Sequence, residues 1–288
     1  MQPFQKILFP IDMSDSCTAS APFVAAMARK YAAELTLLRI LEMPSGPIPD
    51  CYGGEVPAVD TSALRQAETE AVRLYLKEMF RGPKVHRVVV EGDAAHVIDD
   101  YARENGADLI MLPTHGCGLF RTLLLGSVTA KVLHDTPCPV WTGVHMENTP
   151  AVSPEFATIL CGVDGTEDSV ATIRFAASLA RDNRARLVLA HAIPGADIAP
   201  DKYFDAELRQ YLEQEARKTI GQLQAAAGVS VPLCLGTGEV SQVLRDSALG
   251  HSADLVVIGR GVATRTLGRL RSNVYSIIRD APCPVISV

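Results

Sequence analysis

Short runs of apolar residues, separated by amphipathic or polar stretches, recur along the whole chain. The runs are continuous rather than alternating, which is typical of strands that are buried on both faces of a parallel sheet. We therefore predict a strand at each of them. In the first half these runs are Lys6–Ile11, Leu35–Leu41, Val85–Val90, Asp108–Leu112 and Val140–Val144.

The stretches between the runs have the spacing of helices. The first helix, capped by Ser14 or Ser16, is predicted to reach about Tyr31, with Pro22 tolerated only near its first turn. Two further helices are predicted at Ala94–Asn105 and from Val128 to about His134.

A longer helix is predicted from Ser62 to about Phe80, after a loop rich in Pro and Gly that runs from Pro44 to about Asp60. The loop is long for a compact domain, which is typical of functional loops. The helix is predicted to bring its apolar residues to one broad face. These residues are Leu64, Ala67, Ala71, Leu74 and Leu76.

The pattern restarts after a polar segment at 145–155, whose prolines predict a linker. Thr158–Asp164 repeats Lys6–Asp12 at an offset of 152 residues, and Pro282–Val285 repeats Pro137–Val140 at an offset of 145. Most of the change in offset comes from a shorter loop after the second strand of the second copy. The chain is therefore an internal repeat of one supersecondary pattern.

Alternating strands and helices in each copy predict an α/β fold of two tandem, doubly wound, Rossmann-like parallel-sheet domains. We place the domains at residues 1–147 and 156–288. Each copy ends in a short apolar strand, Val140–Val144 and Val285–Val288. Because an uncovered apolar edge invites pairing, we expect the two strands to join the halves as an intramolecular pseudo-dimer.

Composition narrows the function classes. The chain has 288 residues, of which 48% are hydrophobic, so it can bury two cores of ordinary size. A net charge of −6 argues against broad binding to nucleic acid or anionic membranes. No apolar run approaches the roughly 18 residues of a membrane span, and the N-terminal residues lack the pattern of a signal peptide. We expect a cytoplasmic protein.

The cysteines fit this expectation. There are seven, an odd number without a CxxC pair, as in proteins of a reducing compartment. Cys138 and Cys283 occupy matching places in the repeat, which favours a structural role as small buried hydrophobes. No spacing of Cys or His fits a metal site, so we expect none.

The candidate chemistry lies between Leu112 and Val140, where a strand leads through a glycine-containing loop to a helix. The loop holds Gly116 and Gly118, and Gly126-Ser127 stands where the helix begins. A helix N-terminus leaves N–H groups unpaired and carries about half a positive charge, and glycine lets an anion approach the backbone. The stretch is a candidate phosphate cradle.

Each candidate residue also has a simpler interpretation. Asp12 could cap the helix that begins near Ser14, and Gly116 and Gly118 could serve only in turns. His115 and Cys117 are neighbours without a third partner in the sequence, so we assign them no catalytic or metal role. The spacing between Gly116 and Gly126-Ser127 favours the ligand interpretation of the loop.

With Asp12, the Gly116 to Gly126-Ser127 loop and the closing Cys-Pro-Val strand, nearly the whole chain resembles a universal stress protein with two tandem domains. The nucleotide loop of that family runs Gly, two residues, Gly, nine residues, Gly, then Ser or Thr. Here Gly116, the gap, Gly126 and Ser127 match, but Pro113 replaces the first glycine. Proline lacks an N–H, and one lost hydrogen bond costs about 0.5–1.5 kcal/mol, or roughly tenfold in affinity.

The resemblance implies the adenine nucleotide alpha-hydrolase-like fold, with ATP and magnesium bound at the carboxyl ends of the strands. It implies that Asp12 holds the adenosine end of the nucleotide and that Ile40 and Leu112 line the base pocket. It further implies that the phosphates lie among Pro113, Gly116, Gly126, Ser127, Val128 and Thr129.

The second copy departs further from the family pattern. Asp164 matches Asp12, and Gly259 stands at the first glycine position, but only Arg260 separates Gly259 from Gly261. After a gap of nine residues, Arg271 replaces the third glycine and is followed by Ser272. We therefore expect a degenerate second site that does not bind ATP in the family's usual pose.

This second segment is also basic, with Arg260, Arg265, Arg269 and Arg271 within twelve residues. The arginines could form a solvated face or recruit a different anion. We favour a third arrangement, in which a guanidinium enters the old site and pairs with Asp164, closing it with an internal ion pair. Arg271→Gly should then leave Asp164 unpaired.

The function implied by the resemblance is ATP-dependent regulation in a stress response, mainly through the first half and with a protein partner that the sequence does not identify. The resemblance leaves open a further homodimer of whole chains. Two alternatives stand beside it: an interaction module without nucleotide, and a slow ATP hydrolase of the same fold. The chain has no Walker, GxSxG, HIGH-like or SGGxDS-like motif, so we assign no catalytic residues.

Overall fold

The computed structural model describes residues 4–42, 61–113, 125–143, 155–193, 203–260 and 269–288. Strands and helices alternate in the first half as predicted, and most boundaries agree within two residues. The elements are β1 (Lys6–Ile11), α1 (Asp15–Lys30), β2 (Glu34–Leu41), α2 (Thr61–Leu74), β3 (Val85–Glu91), α3 (Ala94–Asn105), β4 (Leu109–Pro113), α4 (Ser127–Asp135) and β5 (Val140–Gly143).

The second half repeats this order of elements, which confirms the internal repeat. The predicted linker and the limits of the two domains fall largely outside the described residues, so those limits stay a prediction. The elements are β6 (Thr158–Gly162), α5 (Ser169–Asn183), β7 (Arg186–Ile193), α6 (Tyr203–Ala227), β8 (Leu233–Thr237), α7 (Val240–Gly250), β9 (Leu255–Ile258), α8 (Arg269–Asp280) and β10 (Val285–Ser287).

In the described part of the chain the strands form one ten-stranded sheet, in the order β3-β2-β1-β4-β5-β10-β9-β6-β7-β8. Pairing is parallel within each half and antiparallel where β5 meets β10. The two predicted edge strands therefore pair with each other, which confirms the intramolecular pseudo-dimer. Two apolar clusters cover the two faces of this sheet and continue from one half into the other.

The contacts across the join follow a pseudo-twofold axis. Phe156 and Phe175 lie 152 residues after Phe4 and Phe23, so they are their counterparts in the second copy. Phe4 packs against Phe175 with ring centroids 6.3 Å apart, and Phe23 packs against Phe156 at 6.4 Å. Each half thus contributes the same two rings to a shared core.

Two sequence expectations for helices are wrong. Pro22 lies in the middle of α1 rather than near its first turn. Proline removes the N–H that would pair with the Thr18 carbonyl, but both residues are exposed, so water can satisfy that carbonyl.

The predicted apolar face of α2 is also wrong. Leu64 and Leu74 are 42% and 54% exposed, and Val72 is the residue of α2 that enters the core. The helix ends at Leu74 rather than near Phe80. Leu76 has a φ of 45°, which does not fit a right-handed helix, and the Arg87 guanidinium donates to the carbonyls of Val72 and Tyr75, both at 2.9 Å. Among the described helices none is long and apolar enough to cross a membrane.

Candidate functional site

The site predicted for the first half lies at the carboxyl ends of β1 and its two neighbouring strands. Strand β1 pairs with β2 on one side and with β4 on the other, all parallel. Helices that follow these strands therefore begin at the same edge of the sheet and cover different faces. In open α/β sheets, a crevice at this switch point is where ligands bind.

Asp12 follows β1 at this edge and is half-buried. Its Oδ1 accepts a hydrogen bond from the Ser14 N–H at 2.9 Å, across Met13, whose φ is 59°. The N-cap of α1 is Ser14, whose side chain accepts from Cys17 N–H. Asp12 thus fixes the turn before the helix and is not itself the cap, which corrects the simpler interpretation of this residue.

Ile40 and Leu112 lie at the carboxyl ends of β2 and β4, as predicted. They are 8% and 4% exposed and belong to one apolar cluster, against which Val128 of α4 packs. All three residues therefore belong to the apolar layer on one face of the sheet. Because so little of Ile40 and Leu112 is accessible, a bound base would touch only the edges of these side chains.

The N-terminus of α4 has the form expected of an anion site. Its N-cap is Gly126, so no side chain at this position can take up the first N–H groups of the helix. The first turn holds no acidic residue, and Ser127 is exposed. An anion at this helix end would meet backbone donors and the positive end of the helix dipole.

Thr129 and Pro113 lie in contact beneath this turn. The Thr129 hydroxyl, 6% exposed, donates to the Pro113 carbonyl at 3.3 Å and so ties α4 to the end of β4. This hydroxyl already has an acceptor, so Thr129 would offer a phosphate its backbone N–H. Gly116 and Gly118, with His115 and Cys117, lie outside the described residues.

The matching aspartate of the second half is bound within its own turn. Asp164 Oδ1 accepts from the Thr166 N–H at 3.0 Å and from the hydroxyls of Thr166 and Ser169, both at 2.7 Å. Burial alone would raise the pKa of Asp164, but these hydrogen bonds outweigh it and lower the pKa below its ordinary value. Asp164 therefore has three local donors.

Gly259 follows β9 at the position that Pro113 occupies in the first half. A Cβ there would lie 2.7 Å from Thr172 Oγ1, too close for ordinary contact. This glycine is therefore required by the packing of α5 against the strand, and that packing explains it without a phosphate.

The loop and helix that follow Gly259 also differ from the first half. Gly261 lies outside the described residues. Arg271 and Ser272 lie inside α8, which begins at Arg269, whereas Gly126 is the N-cap of α4. Nothing is described of the side chains of Arg271 and Ser272.

The ion pair with Asp164 that we favoured for the second site stays a prediction for Arg271, whose side chain lies outside the described residues. Arg260 makes a different contact. Its guanidinium donates to the first half, from Nη1 to Thr136 O at 2.8 Å and from Nη2 to Cys138 O at 2.7 Å. No sequence pattern predicts this contact, because its acceptors are main-chain carbonyls more than 120 residues away.

The structural role expected for the matching cysteines is confirmed. Cys138 and Cys283 are each 9% exposed, and burial raises the pKa of each thiol to about 12. Both are therefore protonated and apolar in character at neutral pH. Within the described ranges, no three His, Cys, Asp or Glu side chains are grouped as ligands for a metal ion.

Comparison with known proteins identifies what the chain is similar to. A model of the universal stress protein family matches residues 3–142 and again residues 155–288. A universal stress protein of Synechocystis sp. is 32% identical over 138 residues, which cover 48% of this chain and 83% of that protein. One of Mycobacterium tuberculosis is 26% identical over 210 residues, covering 71% of this chain and 68% of that protein.

Comparison with solved structures points to the same family. The crystal structure of a universal stress protein from Archaeoglobus fulgidus superimposes with a TM-score of 0.68 at 20% identity, and the match covers 100% of this chain and 97% of that one. The tandem arrangement of two Rossmann-like units is therefore shared over the whole length.

Proposed function

This chain belongs to the universal stress protein family, and we propose that it is a regulatory protein that binds ATP, with magnesium, in its first half. The observation that carries the proposal is the N-terminus of α4. There a glycine N-cap leaves the first N–H groups of the helix without a capping side chain, beside the switch point of the sheet and the Asp12 turn.

In this proposal the phosphates lie over the first turn of α4. The backbone N–H groups of Ser127, Val128 and Thr129 donate to them, and the exposed Ser127 hydroxyl is a further donor. Gly126 admits the phosphates because it has no Cβ. Gly116, as the family pattern implies, would close the loop from the other side.

The adenosine end lies toward β1 and β2. Asp12, held in place by the Ser14 N–H, would accept hydrogen bonds from the ribose hydroxyls, while the base rests on the exposed edges of Ile40 and Leu112. Magnesium, bound together with ATP, would offset the negative charge of the phosphates.

We assign the ATP to the first half because the second half differs at each of these points. Asp164 already has three hydrogen-bond donors, and Arg260 is directed into the first half. Position 271 lies inside a helix and holds arginine, so no glycine N-cap stands there. One ATP per chain is the expected stoichiometry.

Incubation of the purified protein with ATP and magnesium, followed by chromatography of the bound and free nucleotide, separates this function from its two alternatives. The proposal expects ATP bound and recovered unchanged at about one per chain. Steady accumulation of ADP would instead support a slow hydrolase. Absence of bound nucleotide at millimolar ATP would contradict the proposal and leave an interaction module.

A further inference from the structure

Arg260 crosses from one half of the molecule to the other. It follows β9, and its backbone N–H donates to Val288 O at 2.8 Å, next to the end of β10. Its side chain reaches the end of α4, where Nη1 donates to Thr136 O at 2.8 Å and to Leu133 O at 3.4 Å. Nη2 donates to Cys138 O at 2.7 Å, in the segment that leads into β5.

This guanidinium is largely buried, and among the described residues it is in no ion pair. Burial lowers the pKa of Arg260 to about 10, so the group remains charged at neutral pH. Its acceptors include the Leu133 carbonyl in the last turn of α4 and the carbonyl of the C-cap Thr136, at the negative end of the helix dipole. The positive charge is therefore matched by the helix terminus rather than by a carboxylate.

Helix α4 is held by the second half at a further point. The Tyr275 hydroxyl of α8 donates to the Ala130 carbonyl at 3.0 Å, one turn from the N-terminus of α4. Within the first half, the Thr129 hydroxyl ties the same turn to the end of β4. The short helix whose N-terminus forms the proposed phosphate site thus has its middle and its C-terminus bound by the other half.

The sequence has no second arginine at the position that matches Arg260 in the first half. At the offset of 146 residues that relates Leu109 to Leu255, position 260 corresponds to Thr114, which carries no charge and is much shorter than arginine. Tyr275 likewise corresponds to Ala130, at the offset of 145. At both pairs of matching positions, the longer side chain, which donates the hydrogen bond, belongs to the second half.

We propose that Arg260 is a positioning residue for the nucleotide site of the first half, and that the second half is a brace that sets the position of α4. The proposal rests on the function proposed above and extends it to regulation of the same site. Nucleotide binding at the N-terminus of α4 and the packing between the halves are then coupled, and by linkage each stabilises the other. A partner that loosened the join would weaken ATP binding without touching the site.

The test compares two arginine variants in the full-length chain. Arg260→Met keeps the length of the side chain and removes its donors. The matched control is Arg87→Met, because Arg87 also donates to carbonyls at the end of a helix, here Val72 of α2 and Tyr75 just after it, and its hydrogen bonds within the described residues all stay in the first half. ATP affinity with magnesium is measured by calorimetry, and exchange of the α4 amides by hydrogen–deuterium mass spectrometry.

Both variants should lower the melting temperature, since each leaves helix-end carbonyls without a donor. Only Arg260→Met should weaken ATP binding, by about threefold or more, and speed exchange in residues 127–135. If Arg260→Met does not fold, Arg260→Lys, which keeps the charge but loses the fork, should show the same two changes at smaller size.

Wild-type affinity together with wild-type α4 exchange in the Arg260 variant would overturn the brace, as would an equal loss of affinity in Arg87→Met. These outcomes differ from failure of the underlying function, in which the wild-type protein itself would bind no ATP. In that case faster α4 exchange in Arg260→Met alone would still support the brace, and unchanged exchange would reject it.

Discussion

Trp141 and Ile286 lie directly opposite each other where β5 and β10 pair antiparallel. They are also counterparts in the repeat, since Ile286 follows Trp141 by 145 residues, the offset that relates Pro137 to Pro282. A residue that faces its own counterpart marks the pseudo-twofold axis. The two halves are therefore related as two subunits of a symmetric dimer would be, with the sheet continuous across the join.

Replacement of Trp141 should destabilise the whole molecule rather than one half. Trp141 is fully buried and stacks on Phe23 with centroids 4.9 Å apart and planes 13° apart. Trp141→Ala should cost about 3–5 kcal/mol of unfolding free energy, measured by denaturant titration.

Trp141→Phe is the control and should cost less, because it keeps an aromatic ring against Phe23. The indole N–H has no hydrogen-bond partner within the described part of the chain, so phenylalanine breaks no hydrogen bond there. A loss below about 1 kcal/mol in Trp141→Ala would show that the join does not depend on this contact.

We expect that Gly259 is needed for the close packing of Thr172 against the end of β9. Gly259→Ala puts a Cβ 2.7 Å from Thr172 Oγ1, and such overpacking should cost about 1–3 kcal/mol in a thermal or chemical unfolding experiment. With Thr172→Ala added, the next contact is the Thr172 Cβ at 3.8 Å, an ordinary distance. The double variant should therefore lose less than the sum of the two single variants. Additive losses would place the cost elsewhere.

Acid should weaken the contact between α3 and α4. Asp93 caps α3 by accepting a hydrogen bond from the His96 N–H. Its Oδ1 also accepts one from Lys131 Nζ of α4 at 3.0 Å. These hydrogen bonds lower its pKa from an ordinary value of 3.8 to about 2. Because the folded value is the lower one, this stabilisation is present above pH 3.8 and is lost as the pH falls toward about 2.

Asp93→Asn can still cap the helix but no longer titrates, so its melting temperature should fall less steeply over this pH range than that of the wild type. Parallel curves for the two proteins between pH 2 and 5 would contradict the assignment, after correction for the lower starting stability of the variant.

The sequence predicts the fold well because the repeat and the continuous apolar runs are strong, local signals. The pairing of β5 with β10 also follows from sequence, since both copies end in a bare apolar strand. The exposed face of α2 and the position of Pro22 could not be predicted, because each depends on tertiary contacts. The backbone turns out of the helix at Leu76, where Arg87 binds the nearby carbonyls, and Pro22 lies on an exposed face of α1.

The candidate site also has features that could be predicted from the sequence and one that could not. The order Gly126-Ser127 at the start of a helix predicts the backbone donors, and Asp12 at the end of β1 predicts the turn. The hydrogen-bond partners of Arg260 could not be predicted. A cluster of arginines in a sequence suggests an anion site, whereas the acceptors here are main-chain carbonyls of the other half, which come close only in the folded chain.

The central claim is that ATP binds at the N-terminus of α4, and calorimetry of wild type and Gly126→Val with ATP and magnesium tests it most directly. Gly126 has a φ of −57°, so valine meets no backbone strain there, and its side chain would occupy the space of the phosphates. Gly221→Val is the matched control, since a Cβ at Gly221 has no atom within 4 Å. We predict one ATP per chain for the wild type and for Gly221→Val, and loss of binding for a folded Gly126→Val. Wild-type affinity in Gly126→Val, or two equivalent ATP molecules per chain, would contradict the account.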